Sequence, residues 1–305
     1  MMREKKLKFQ LKVMMNNMIE MINKQLLKMI PDSPLGTNLE ESMRYSLEAG
    51  GKRIRPVLLL ETLKMLNADH SYDKGVQTAL ALEMVHTYSL IHDDLPSMDN
   101  DDYRRGKLTN HKVYGDWKAL LAGDALLTKA FNLISKDTSI DAETRITLVA
   151  QLSDASGHLG MVGGQTLDME SENKKIDLET LQHIHREKTG ALLSFAINAA
   201  ATIAKTDADV SQILDTYSGH LGLIFQIKDD LLDVYGDAEK LGKPVGSDEK
   251  NHKSTYVTLL GLKNTEQRLQ YHVEEAEKCL KQLAAKQYDT TELEKLTQLF
   301  YKRDH

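Results

Sequence analysis

Residues 83–107 read EMVHTYSLIHDDLPSMDNDDYRRGK. Their first half is an apolar run typical of a buried helix, and their second half is strongly charged. The charged half contains five aspartates, of which Asp93, Asp94 and Asp99 come first, and then the two arginines Arg104 and Arg105. Because these charges follow a buried helix directly, the stretch predicts a site at the end of a core helix, and the rest of the chain is interpreted around it.

Three carboxylates at one helix end raise each other's pKa values unless cations lie among them. Oxygen ligands without a group of cysteines or histidines favour a hard ion such as Mg²⁺, and the nearby arginines suit a phosphate carried by that ion. The alternative is an ordinary solvated loop over Asp99 to Asp102. An EF-hand loop does not fit, because Tyr103 and Arg104 would occupy a ligand position and the glycine position.

A second copy of the pattern lies at residues 222–234, which read GLIFQIKDDLLDV. Again an apolar run leads into carboxylates, here Asp229, Asp230 and Asp233. Asp229 and Asp233 are four residues apart, so on a helix they share one face. The first copy has a longer spacer, and Pro96 interrupts a regular helix, so we expect Asp99 to reach back from a distorted turn.

The segments DDLPSMD (93–99) and DDLLD (229–233) resemble the two aspartate-rich motifs of the trans-isoprenyl diphosphate synthases, most closely the bacterial members that form farnesyl diphosphate. The resemblance implies an all-α, single-domain bundle of helices around a central cavity, over residues 1–305. It also implies three Mg²⁺ ions, replaceable by Mn²⁺, on Asp93, Asp94, Asp99, Asp229, Asp230 and Asp233, and a homodimer.

Composition agrees with one intracellular domain. The 305 residues include 41% hydrophobic residues and five prolines, with no linker-like segment. A net charge of −6 argues against a nucleic-acid partner, and the single Cys279 excludes an internal disulfide, which suits the cytoplasm. No apolar run reaches 18 residues, so no membrane span is expected and 191–204 is interpreted as a buried helix. The basic N-terminus is interpreted as a solvated helix turn, with a membrane-surface anchor as the alternative.

The loop Gly50-Gly51-Lys52-Arg53-Ile54-Arg55-Pro56 combines glycines, which let a phosphate approach the backbone, with basic side chains. Alone it could be surface decoration; by resemblance it is the isopentenyl diphosphate site, with Lys52, Arg55, His86 and Arg105 as binding residues. His86 lies two helical turns before Asp93, about 10 Å along the axis, where a core histidine is the alternative. By resemblance Arg104 binds the allylic diphosphate.

Tyr88 and Ser89 lie five and four residues before Asp93, roughly 6 to 8 Å below the predicted metal site on a helix. In the family the growing hydrocarbon tail passes this position, and a bulky side chain stops it. The tyrosine ring can also serve ordinary core packing.

The remaining motifs resemble the family in the order in which they occur. Lys188-Thr189-Gly190 joins two predicted helices; Lys188 can bind diphosphate, Thr189 offers an oxygen toward developing positive charge, and Gly190 permits a kink. Gln226 lies three residues before Asp229, and Lys243 resembles a further lysine for the allylic diphosphate. Residues 163–165 and Asp168 match a segment where small residues allow close helix approach. The basic tail, residues 301–305, resembles a C-terminus that closes over the bound substrate in the family. The alternative is a frayed chain end.

Helical periodicity predicts helices over 4–30, 76–92, 117–134, 146–162 and 266–283. The resemblance implies a synthase that condenses isopentenyl diphosphate with dimethylallyl and geranyl diphosphates to farnesyl diphosphate. The alternatives are a geranylgeranyl diphosphate synthase and a non-catalytic subunit of a synthase complex. A terpene cyclase is disfavoured, because it has no use for the loop at residues 50–56.

Overall fold

Helices form nearly all of the regular structure in residues 2–67, 69–235 and 254–303, which are the residues that the computed structural model describes. The side chains of 2–14 and 235 are outside that description, and so is the predicted diphosphate residue Lys243. The structure divides into two compact units. Unit 1 comprises Met1–Val57 and Val76–Ser139, and unit 2 comprises Leu58–Gly75 and Ile140–His305. The all-α fold class is confirmed, whereas the single domain over 1–305 stays a prediction.

Unit 1 is built around one apolar helix. Its elements are α1 (Met2–Lys28), α2 (Leu39–Glu48), the start of α3 (Ile54–Leu66), α4 (Val76–Asp93), α5 (Asn110–Tyr114) and α6 (Asp116–Ser135). Helix α4 packs mainly on α6, and α2 packs on both. Its residues from Thr78 to Val85 are all buried, which confirms the predicted core helix over 76–92.

Unit 2 contains a 3₁₀ turn (Asp73–Gly75), α7 (Ala142–Ser156), α8 (Met161–Ser171), α9 (Leu178–His185), a π-helical segment (Arg186–Gly190), α10 (Ala191–Ala204), α11 (Ala208–Tyr235), α12 (Tyr256–Leu260), α13 (Leu262–Ala285) and α14 (Thr291–Lys302). Helix α11 packs on α10, α13 and α14. Helix α10 coincides with the predicted buried helix over 191–204, and no helix in the described part of the chain is long and apolar enough to cross a membrane.

The predicted helix over 146–162 is wrong as a single element. Helix α7 ends at Ser156 and α8 begins at Met161, with Gly157 and Gly160 between them. At Gly160 an added Cβ would lie 2.3 Å from the Ala155 carbonyl oxygen, so the chain turns where only glycine fits. The apolar period continued across this break because the residues on both sides pack into the same unit.

A short antiparallel β-ribbon follows the first aspartate cluster. Strand β1 (Tyr103–Arg104) pairs with β2 (Lys107–Leu108), and Arg105 and Gly106 form the two-residue turn. Their φ angles of +55° and +76° match a type I′ hairpin, whose twist suits paired strands. The ribbon was not predicted, since Arg-Gly is a weak turn signal beside the more typical Asn-Gly. It places Arg104 on a strand and Arg105 at the tip of the turn.

Candidate active site

The end of helix α4 brings Asp93 and Asp99 together. The Asp99 amide donates to the Asp93 carbonyl at 2.9 Å, and the Met98 amide donates to the Leu95 carbonyl at 2.9 Å. The chain therefore folds back on the helix end, which confirms the predicted distorted turn. Asp99 is exposed and Asp93 is partly exposed.

Asp94 has a different environment from its neighbours. It is buried, and its carboxylate accepts from Arg104 Nε at 2.8 and 2.9 Å and from the Arg104 terminal nitrogen at 2.6 Å. Burial raises the pKa of Asp94, and Arg104 offsets part of that rise. Burial also works against the charge of Arg104, but Asp94 and Asp93 outweigh it and raise the pKa of Arg104. A predicted metal ligand and a predicted diphosphate residue therefore hold each other in place.

Unit 1 also gathers the residues predicted for the second diphosphate. Arg105 donates to the Gly50 carbonyl, and its guanidinium lies against Gly51, where an added Cβ would be 2.6 Å from it. Burial and the charge of Arg105 both lower the pKa of Arg55, to about 10, and the charge of Glu83 opposes them. The buried Nε of Arg55 has no hydrogen-bond partner. Such crowding of cations is what an anionic ligand would relieve.

His86 stands among these cations as a neutral group. Burial lowers its pKa well below the ordinary value, and Arg55 and Arg105 lower it further. At neutral pH its imidazole is therefore uncharged and offers one donor and one acceptor. Lys52, the remaining residue predicted for isopentenyl diphosphate, lies in the loop at residues 50–56 and is exposed.

Tyr88 is buried on α4, one turn before the aspartates. Burial and the charge of Asp93 raise its pKa to about 12, so the ring stays neutral. It meets His92 edge to face at a centroid distance of 5.5 Å, and Ser89 Oγ donates to the His86 carbonyl at 2.9 Å. The ring is held by packing, so its position is well defined.

In unit 2, helix α11 carries the second aspartate cluster, but its three carboxylates differ in accessibility. Asp229 keeps about half of its side chain exposed (47%), while Asp230 and Asp233 are buried. The Tyr256 amide at the start of α12 donates to Asp230 Oδ2 at 2.6 Å. Asp229 and Asp233 share one helix face as predicted, yet only Asp229 is widely open.

The C-terminal arginine reaches this cluster. Arg303 donates to Asp229 Oδ1 at 2.6 Å and to the Phe225 carbonyl at 2.6 Å, and its guanidinium lies 4.0 Å from the centre of the Phe225 ring. A cation over an aromatic face and beside a carboxylate is well held. Of the basic tail at residues 301–305, Arg303 therefore contacts α11, while residues 304 and 305 lie outside the described residues.

The π-helical segment Arg186–Gly190 carries Lys188 and Thr189. Insertions of this kind widen a helix by one residue and often occur at functional sites. Gly190 ends this segment with ordinary helical angles (φ −66°, ψ −38°), and the kink that it permits stays a prediction. An added Cβ at Gly222 would lie 3.1 Å from the Gly190 Cα, so Gly190 also serves the close approach of α11.

A cleft of about 190 Å³ in unit 2 brings several predicted residues together. Lys188 donates to Asp168 Oδ2 at 2.6 Å. The cleft is lined by Asp168, Lys188, Thr189, Gln226, Asp229 and Asp230. His185 also lines it and was not predicted; burial lowers the pKa of His185 to about 4, so it is neutral there. The sequence signal that could have identified His185 is its position one helical turn before Lys188.

Among the described side chains of residues 15–67, 69–234 and 254–303, no three His, Cys, Asp or Glu form a ready-made ion cage. Magnesium commonly takes one or two carboxylates and completes its shell with water and phosphate. Asp99 is exposed and Asp229 keeps 47% of its side chain exposed, so carboxylates of both clusters fit that donor set.

Comparison with known proteins defines the class. The sequence model described as Polyprenyl synthetase matches residues 37–291, and the chain belongs to that family. It is therefore a prenyl transferase of isoprenoid biosynthesis, and its family uses a divalent metal ion.

The particular proteins it is similar to include the farnesyl diphosphate synthase of Geobacillus stearothermophilus, 51% identical over 88% of this chain and 89% of that one. Among solved structures, an FPP/GFPP synthase from Zymomonas mobilis has a TM-score of 0.85 and 35% identity over 96% and 99% of the two chains. A geranyltransferase from Helicobacter pylori, complexed with magnesium and isoprenyl diphosphate, has a TM-score of 0.83 and 31% identity over 95% and 97%.

Proposed function

We propose that this prenyl transferase forms farnesyl diphosphate by adding isopentenyl diphosphate to dimethylallyl diphosphate and then to geranyl diphosphate. The farnesyl diphosphate synthase of G. stearothermophilus, at 51% identity, supports this product. The observation that carries the proposal is the cation cluster of unit 1. Arg55 has a depressed pKa and a buried, unpaired Nε beside Arg105, and a diphosphate supplies both the missing charge and the missing acceptor.

Isopentenyl diphosphate is assigned to Lys52, Arg55, His86 and Arg105. The arginines bind phosphate oxygens bidentately, and the lysine acts as a point charge. A neutral His86 donates one hydrogen bond without adding to the repulsion among the arginines. The glycines at 50 and 51 leave the backbone open beside the guanidinium of Arg105.

The allylic diphosphate is assigned to Arg104, Lys188 and Lys243, together with magnesium. We assign three Mg²⁺ ions, replaceable by Mn²⁺, to Asp93, Asp94 and Asp99 in unit 1 and to Asp229, Asp230 and Asp233 in unit 2. When bound, the metal stabilises negative charge on the leaving diphosphate. Asp94 is paired with Arg104 within unit 1 and Asp229 is paired with Arg303 within unit 2, so an ion bound at either carboxylate would compete with that guanidinium.

The chain itself needs no nucleophile. Breaking the allylic carbon–oxygen bond generates an allylic cation, and the double bond of isopentenyl diphosphate attacks it. The oxygens of Thr189 and Gln226, which share the unit 2 cleft with Lys188, stabilise that positive charge. The released diphosphate accepts the proton that restores the double bond, while apolar walls keep water from quenching the cation.

Chain length is assigned to Tyr88, with Ser89 beside it. A buried, packed ring one turn before Asp93 stops the tail after two additions. The alternative product, geranylgeranyl diphosphate, requires the tail to pass this ring.

We propose a homodimer that uses one exposed face of α6. Trp117, Leu120 and Leu121 lie on that face with exposures of 66%, 44% and 45%. Apolar side chains at this spacing form a patch that a second copy can cover. Light scattering after size exclusion tests this: Leu121→Glu should give a monomer, while Leu35→Glu, at an exposed position of 80%, should stay dimeric. A cytoplasmic location stays a prediction.

The test of the whole proposal is incubation with Mg²⁺, dimethylallyl diphosphate and excess isopentenyl diphosphate, followed by mass analysis of the dephosphorylated alcohols. Farnesol as the end product supports both the chemistry and the role of Tyr88. Geranylgeraniol keeps the chemistry and refutes the chain-length assignment. No elongation by folded protein that still binds diphosphate would instead indicate a non-catalytic subunit.

A further inference from the structure

The loop at residues 50–56 has an unusual backbone. Gly50, Gly51 and Arg53 have φ angles of +81°, +130° and +48°. Glycine adopts such angles freely, but an arginine does so only when its surroundings hold it there. The conformation of Arg53 therefore needs an explanation outside the loop.

The side chain of Arg53 supplies that explanation. It is 1% exposed and turns into the interior of unit 1. Its Nε donates to Asn23 Oδ1 on α1 at 2.8 Å, and one terminal nitrogen donates to Glu83 Oε1 on α4 at 2.6 Å. The other terminal nitrogen donates to the carbonyl of Leu47 on α2. One guanidinium thus joins three helices of unit 1 to the loop.

Glu83 completes the arrangement from the other side. Its side chain is 3% exposed and lies three residues before His86, on the same face of α4. Its charge favours the protonated forms of both Arg55 and Arg105. A single buried carboxylate therefore anchors Arg53 and offsets the repulsion among the neighbouring cations.

We propose that Arg53 and Glu83 are positioning residues: their buried ion pair, braced by Asn23, pre-forms the loop so that Lys52 and Arg55 are presented to a diphosphate. The identity of that diphosphate rests on the proposed function. Arg53 is a basic residue of the same loop, but its guanidinium is buried and occupied by protein groups, so its role is to hold the loop rather than to bind phosphate. Pre-forming the loop before the ligand arrives lowers the ordering cost of binding.

Arg53→Lys is the primary test, because lysine keeps the charge but cannot satisfy three partners in a fixed planar fork. We expect the KM for isopentenyl diphosphate to rise about tenfold, with kcat and the KM for the allylic substrate within about twofold. Amide exchange over residues 50–55 should accelerate. Asn23→Ala removes only one brace and should give a smaller change of the same kind, should Arg53→Lys fail to fold.

The matched control is Arg44→Lys. Arg44 forms an ion pair with Asp32 at 2.7 Å in the same unit and also donates to the Ile30 carbonyl, but it does not touch the loop. It should leave both KM values unchanged. If Arg53→Lys and Asn23→Ala alter kcat and both KM values alike, or leave loop exchange at the wild-type rate, the positioning role is refuted.

Amide exchange with and without inorganic pyrophosphate separates this inference from the proposed function. If the wild-type protein fails to elongate but its loop is protected by pyrophosphate and loosened by Arg53→Lys, the function is wrong and the positioning role stands. If the wild-type protein elongates but Arg53→Lys and Asn23→Ala both leave amide exchange in the loop at the wild-type rate, the proposed function stands and the positioning role is wrong.

Discussion

Replacing Gly164 by alanine tests whether the position of Lys188 depends on close contact between α8 and the π-helical segment. A Cβ at position 164 would lie 2.2 Å from the Lys188 backbone nitrogen and 2.8 Å from its Cα, whereas ordinary contact begins near 3.4 Å. These are backbone atoms in helical segments, so no side-chain rotation relieves the clash. The two segments must separate by about 1 Å.

That separation has two expected consequences. Overpacking of this kind costs about 1 to 3 kcal/mol, which lowers the Tm by several degrees. A shift of about 1 Å at a catalytic group can reduce the rate roughly a hundredfold. We therefore expect kcat to fall by about two orders of magnitude while the protein stays folded, since Lys188 and its partner Asp168 lie on the two segments that are forced apart.

The assay is steady-state elongation with radiolabelled isopentenyl diphosphate, together with calorimetry. Gly219→Ala is the matched control, because this glycine also lies in a helix of unit 2 but an added Cβ would meet nothing within 4 Å. It should leave kcat unchanged and slightly raise the Tm, as alanine favours a helix. A Gly164→Ala protein with wild-type kcat and Tm would refute the reasoning.

Three further outcomes are expected. Tyr88→Ala should lengthen the products, because it removes the buried ring before Asp93; an unchanged product distribution by mass analysis would eliminate Tyr88 as the floor. Burial and the neighbouring His220 lower the pKa of His272 to about 4, against about 6.5 when unfolded. Between about pH 6.5 and pH 4 the unfolded chain therefore binds more protons than the folded one, so the free energy of unfolding decreases as the pH is lowered through that window. His272→Gln should reduce the drop in Tm from pH 7 to pH 5, and an equal drop would contradict this assignment. Chelation by EDTA should abolish elongation but leave the circular dichroism unchanged, since Arg104 and Arg303 already pair with carboxylates of the two clusters; unfolding on chelation would show that the metal is structural.

Local sequence patterns predicted most of the fold for identifiable reasons. Helices α4 and α10 are apolar nearly all round, so their burial follows from composition. The return of Asp99 to Asp93 follows from Pro96 and the spacing of the motif. The division between α7 and α8 was missed, because the apolar period continues through two glycines whose importance lies in close backbone contacts.

Individual roles within the motifs were harder to predict. The three aspartates of each cluster are alike in sequence, yet Asp94, Asp230 and Asp233 are buried while Asp99 and Asp229 are open. Which carboxylate is accessible depends on partners far away in the chain, such as Arg303 for Asp229. No spacing rule carries that information.

The sequence by itself determined the helical class, the two aspartate clusters and the residue types that suit a metal-bound diphosphate, because these depend on period, composition and spacing along the chain. Only the tertiary structure decided that Arg53 turns inward to Glu83, and that Lys188 pairs with Asp168 across a glycine contact. The physical reason is that a side chain's direction and charge balance are set by the groups that folding brings beside it, and those groups lie 20 to 30 residues away along the chain.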